Sequence, residues 1–91
     1  MTYEEEIALY RDEINRLNKE ILGRLVERVR AAKVIADIKR RYGKPIVDTM
    51  RERTVLDTVR TYALIHELDP DGAERVFRAI IDLCVEAEEI K

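Results

Sequence analysis

From Glu4 to about Arg41 the chain runs without a proline and with a single glycine, Gly23. Nothing in that stretch ends a helix, and Ile7, Tyr10, Ile14, Leu17, Ile21 and Leu25 recur at alternating steps of three and four, along one side of a helix. A helix of about 37 residues is ~55 Å long, whereas a compact chain of this length has a radius of gyration of only ~12 Å. The rest of a 91-residue chain cannot cover such a rod. Its leftover apolar stripe needs another chain, and a closed two-fold homodimer is the commonest solution.

Tyr42-Gly43-Lys44-Pro45 ends the first helix, because glycine readily takes the left-handed turn after a helix and Pro45 disfavours helical geometry at Lys44. Asp48 is placed to cap a second helix from about Thr49 to Glu67, with Met50, Leu56, Val59 and Ala63 as buried candidates. Asp69 and Pro70 then cap and open a third, whose inner face is Ala73, Val76, Phe77, Ile80, Ile81 and Cys84. The expected fold is all-α: one long N-terminal helix and two shorter ones per chain, in an intertwined helical homodimer. Residues 1–91 read as a single domain.

Composition narrows the function. Charged residues make up 40% of the chain, but 17 basic and 19 acidic side chains leave a net charge of only −2. No excess points to nucleic acid or to a membrane surface. The apolar 46% is scattered among charges, with no run near the ~20 residues that span a bilayer. The first residues do not form a signal peptide, so a cytoplasmic location is expected. Cys84 is the only cysteine and His66 the only histidine, so neither a disulfide nor a metal-ligand cluster is expected.

Charges fall where apolar residues belong. The seven-residue step through Ile7, Ile14 and Ile21 lands on Arg28 before Ala32, Ile35 and Ile38 resume the inner face. Lys39, eleven residues further on, projects within ~20° of Arg28 and ~16 Å along the axis. Glu52 leads the row Leu56, Val59, Ala63, and Glu88 continues the row Phe77, Ile81, Cys84. Two readings stand. In one, Arg28 and Lys39 are snorkelling stems paired with Glu52 and Glu88. In the other, several inward charges in so small a core form a pocket for a small polyanion such as a dicarboxylate, which arginine forks bind bidentately.

In order, Arg11, Arg28, Lys39, Asp48, Arg51, Glu52 and Glu88 resemble the active-site pattern of the all-helical chorismate mutases. The resemblance spans nearly the whole chain. It is carried by Leu9-Tyr10-Arg11-Asp12-Glu13-Ile14, by Leu25-Val26-Glu27-Arg28 and, most specifically, by Pro45-Ile46-Val47-Asp48-Thr49-Met50-Arg51-Glu52-Arg53. It implies a Claisen rearrangement of chorismate to prephenate in aromatic amino acid biosynthesis, without metal or organic cofactor. It implies that Arg11, Arg28 and Arg51 hold two carboxylates, that Lys39 and Glu88 donate to the ether oxygen, and that Glu52 and the Asp48 amide bind the ring hydroxyl; Lys39, Glu88 and Arg28 are the expected catalytic groups. Arg11 and Arg28 lie ~25 Å apart along one helix and ~100° apart around it, too far to share one small substrate within a chain. The resemblance therefore implies two sites shared between subunits.

Two positions depart from the family pattern. Cys84 stands where a serine hydroxyl is common, beside the substrate carboxylate, and a thiol is the weaker donor. Asn18 replaces a frequent aspartate and reads as structural. The rival activity is an isochorismate pyruvate lyase on the same fold, against which the segment Val47 to Glu52 resembles the mutase version. A non-catalytic helical dimerisation module is the rival of another class, separated by whether chorismate is turned over. The sequence leaves open a separate partner enzyme that activates this one.

Overall fold

Helix α1 starts on a pair of reciprocal bonds. Thr2 Oγ1 accepts from the Glu5 N–H at 3.2 Å while Glu5 Oε1 accepts from the Thr2 N–H at 3.3 Å, a capping box that starts the helix one residue before Glu4. The structure, a computed structural model, describes residues 1–90, and α1 occupies Tyr3–Arg41 of them. Glu4, Glu5 and Glu6 in its first turn and Lys39, Arg40 and Arg41 in its last complement the helix dipole. On its surface Arg16 pairs with Glu13 and Glu20, and Arg24 with Glu27, one helical turn apart.

Helix α1 closes as the Gly-Lys-Pro segment predicts. Gly43 is left-handed at φ +65° and the Lys44 N–H donates to the Lys39 carbonyl at 2.8 Å, a Schellman cap. Helix α2, Thr49–Ile65, is capped by Asp48, whose Oδ1 accepts from the Arg51 N–H at 3.0 Å. It stops two residues short of the expected Glu67. Leu68 N–H bonds back to the Ala63 carbonyl at 2.9 Å, and this second Schellman turn puts Glu67 itself at φ +58°. No glycine marks that exit, so the sequence pattern ran through it. Helix α3, Pro70–Glu89, starts as expected: Asp69 Oδ2 accepts from the Gly72 N–H at 3.1 Å, with Pro70 in the first turn.

Helix α3 packs on both α1 and α2, while α1 and α2 do not meet among the described residues. The core along α3 combines small side chains, Ala32 and Ala36 from α1, Ala63 from α2 and Ala73 and Cys84 from α3, with Leu56 and Ile81. Ala36 is completely buried. Several expected core positions are not covered within the chain. Met50 is 81% exposed, Val76, Ile35 and Ile38 also remain exposed, and Val59, Phe77 and Ile80 are half-buried. Periodicity identifies which face of a helix is apolar, and only α3 is available to cover two such faces.

The molecule is accordingly elongated, 61 × 28 × 14 Å with a radius of gyration of 17.2 Å. The stripe formed by Tyr10, Ile14, Leu17 and Ile21 stands free along the first half of α1. Among the described residues no helix is long and apolar enough to cross a membrane.

Candidate active site

The second half of α1, the start of α2 and the end of α3 enclose a cavity of about 270 Å³. Arg28, Lys39, Asp48, Arg51, Glu52, Cys84 and Glu88 all line it, on apolar walls from Ala32, Ile35, Val55 and Ile81. Of the residues expected from sequence only Arg11 is elsewhere: it is exposed on the first half of α1, as helix spacing requires within one chain.

Several of these residues are tied down by specific bonds. Arg28 Nη1 donates to Cys84 Sγ at 2.9 Å, joining α1 to α3 across the cavity. Lys39 Nζ donates to the Ile46 carbonyl at 2.7 Å, which ties the last turn of α1 to the α1–α2 connection. An ammonium has three donors, so this anchor leaves Lys39 others for a ligand. The Asp48 cap fixes the first turn of α2, from which Arg51 and Glu52 reach the cavity. Cys84 is buried, and here its sulfur is an acceptor for the guanidinium.

Glu88 is the one charged residue of the buried core among the described residues, 9% exposed. Burial pushes its carboxyl above the ordinary range, opposed by the positive charges of Lys39, Arg28 and Arg40 and assisted by the negative charge of Glu52. The neutral acid, a hydrogen-bond donor, is thereby favoured.

The ion pairs of the alternative reading do not form. Among the described residues no carboxylate lies within salt-bridge distance of Arg28, Lys39 or Arg51. Glu52 instead pairs with Arg78 of α3, Nη1 to Oε1 at 2.7 Å. A second arginine absent from the sequence reading is Arg40, whose Nη2 donates to the Glu88 carbonyl in the last turn of α3. Neither lines the cavity; each bonds one of its wall residues from a position beside, not on, the inner stripes, so periodicity gave no reason to select them. Three cations without acidic partners, a neutralised carboxylate and a buried acid make a cavity suited to a small dianion with a hydroxyl group.

Comparison with known proteins agrees with this chemistry. Residues 10–89 match the family described as chorismate mutase type II. The chain is 32% identical over 78 residues to a chorismate mutase of Methanocaldococcus jannaschii, covering 86% of this chain and 79% of that protein. It is also 32% identical over 82 residues to the bifunctional chorismate mutase/prephenate dehydratase of Escherichia coli strain K12, with 90% of this chain and 21% of that protein covered. A similar likeness, 32% over 76 residues, links it to the T-protein of Enterobacter agglomerans, of which it spans 20%.

Proposed function

The chain belongs to the chorismate mutase type II family and is a chorismate mutase, and from that premise we propose how its residues divide the work. The single observation that carries the assignment of roles is the cavity's charge pattern: Arg28, Lys39 and Arg51 converge there without carboxylate partners among the described residues.

The rearrangement of chorismate to prephenate is unimolecular. One C–O bond breaks as one C–C bond forms, with no covalent intermediate, so the protein accelerates it by holding the reactive conformer and by placing positive charge where electron density collects. Arg28 and Arg51, together with Arg11 of the partner subunit, grip the two carboxylates. Lys39, anchored through Ile46, directs a remaining N–H at the ether oxygen, where negative charge grows as the bond lengthens. Glu88 in its neutral form donates to the same oxygen. Glu52 accepts from the ring hydroxyl, assisted by the Asp48 amide, and Cys84 steadies the Arg28 guanidinium beside one carboxylate.

The bare stripe on the first half of α1 supports a homodimer in which antiparallel first helices bring each Arg11 to the opposite cavity. Residues 1–91 are assigned as one catalytic domain working in the cytoplasm in aromatic amino acid biosynthesis. Incubating the purified protein with chorismate and following both loss of substrate and appearance of prephenate tests this reading. Protein-dependent prephenate is expected; folded dimer that leaves chorismate at its spontaneous rate overturns it.

A further inference from the structure

We propose that Arg78, from outside the cavity, is a positioning residue that holds Glu52 in place and cancels its charge so that this carboxylate can receive the substrate's hydroxyl without repelling its carboxylates. The proposal rests on the reading of Glu52 as the hydroxyl's acceptor.

The geometry has three parts. The Glu52 side chain is 18% exposed and lines the cavity, while Arg78, 45% exposed, does not line it and meets Glu52 from the neighbouring helix at 2.7 Å. Arg78 Nη1 engages one carboxylate oxygen, Oε1, leaving Oε2 as a free acceptor. Asp82, one turn further along α3, lies 4.0 Å from the same guanidinium nitrogen and attracts it from its own helix.

Charge gives the arrangement its purpose. Three acidic side chains, Asp48, Glu52 and Glu88, line a cavity that must accept a dianion, and burial raises the pKa of Glu88. Asp48 is engaged with the Arg51 N–H as the cap of α2, but Glu52 has no such role. A cation inside the cavity could neutralise Glu52 only by competing for the substrate's carboxylates. Arg78 neutralises it from behind, out of the ligand's reach. A second α2–α3 pair, Arg60 with Asp71 at 2.8 Å, has the same cross-helix form without lining the cavity. It separates an effect on the site from an effect on helix packing.

The test is steady-state kinetics with chorismate on Arg78→Met, Arg78→Lys, Glu52→Ala, Arg60→Met and the Arg78→Met/Glu52→Ala double variant, with circular dichroism and dimer size recorded for each. Because half-exposed pairs contribute modestly, Arg78→Met should raise KM about three- to fivefold with kcat nearly unchanged, the mark of lost ground-state positioning. Arg78→Lys should recover part of the loss, Arg60→Met should leave KM at its original value, and in the Glu52→Ala background Arg78→Met should add nothing. Wild-type KM in Arg78→Met beside an impaired Glu52→Ala overturns the role of Arg78 and leaves the hydroxyl reading standing. An Arg78→Met penalty equally large without Glu52, an equal penalty in Arg60→Met, or loss of fold in both Arg78 variants overturns it as well, because Arg78 then acts on the scaffold. Wild-type KM and kcat in Glu52→Ala removes the hydroxyl reading and the Arg78 proposal together.

Discussion

Between Tyr3 and Glu27, α1 holds Arg16 and Arg24 in ion pairs and leaves its apolar stripe uncovered; between Arg28 and Arg41 it buries two alanines and leaves two inward cations without carboxylates among the described residues. In the first half Arg16 and Arg24 are bound to glutamates one turn away while Tyr10, Ile14, Leu17 and Ile21 face outward. In the second half Ala32 and Ala36 are buried against α3 while Arg28 and Lys39 have no carboxylate partner among the described residues. The first half thus lacks a cover for its apolar stripe, and the second, partly buried against α3, lacks counter-charges for Arg28 and Lys39. Each lacks a different thing. A second chain laid antiparallel would cover the stripe, and a dianionic ligand would satisfy the cations.

The largest effect is expected at Lys39, which has no carboxylate partner among the described residues and is bonded only to the Ile46 carbonyl. Lys39→Ala should lower kcat by about two to four powers of ten, the range for losing a donor to a developing oxyanion, with helicity retained. Turnover near wild type in a folded dimer would return Lys39 to a role confined to the Ile46 carbonyl.

A mixing experiment joins the two halves. Arg11→Ala and Arg28→Ala should each be nearly inactive, and unfolding and refolding them together should restore about a quarter of wild-type activity, since half the dimers are mixed and each has one intact site. Inactivity despite confirmed mixed dimers would show that the two halves do not meet at a site.

How far the sequence foretold these halves can be judged residue by residue. Arg28 and Lys39 were legible because a seven-residue step makes a charge on an apolar row conspicuous, and Glu88 because it extends Phe77, Ile81 and Cys84. Helix starts were legible from Asp48 and from Asp69-Pro70, and the α1 exit from Gly43. Met50 and Val76 misled because apolar spacing specifies a face but not what covers it. Glu67 misled because its left-handed turn is imposed by the Leu68–Ala63 bond rather than by a glycine. Arg78 and Arg40 were invisible because their partners depend on the register between helices, which no single helix encodes. Arg11 entered through family resemblance alone, for it stands exposed on α1 away from the cavity.

A pH series sharpens the electrostatic half. The raised Glu88 carboxyl must be protonated to donate, so kcat/KM should fall as pH rises through its elevated pKa, and Glu88→Gln, a permanent donor, should hold activity to higher pH. The linked stability has the same sign. An acid whose pKa is raised by folding binds its proton more tightly in the folded state, so its contribution is full below the unfolded pKa and is lost as pH rises through the folded one. Denaturant midpoints of the two proteins should therefore diverge over that interval. Superimposable rate profiles from pH 4.5 to 9 would exclude Glu88 as the titrating donor.

The smallest effect belongs to neither half. Glu67→Gly relieves a left-handed non-glycine residue and should raise unfolding stability by about 1 kcal/mol without altering kcat or KM. A change in kinetics would mean that the α2–α3 turn communicates with the cavity, and the division between scaffold and site would need redrawing.

That α3 alone joins the other two helices also dictates an order of events as the chain is made. Synthesis releases α1 and then α2, and neither has a surface on the other to settle against. The bonds that close the cavity span long separations, 56 residues from Arg28 to Cys84 and 48 from Arg40 to Glu88. Closing such loops is slow relative to forming helices. Arg28 therefore has no Cys84 opposite it until most of α3 has been made. Arg28 is made early and meets its partner last, whereas Lys39 finds the Ile46 carbonyl only seven residues on.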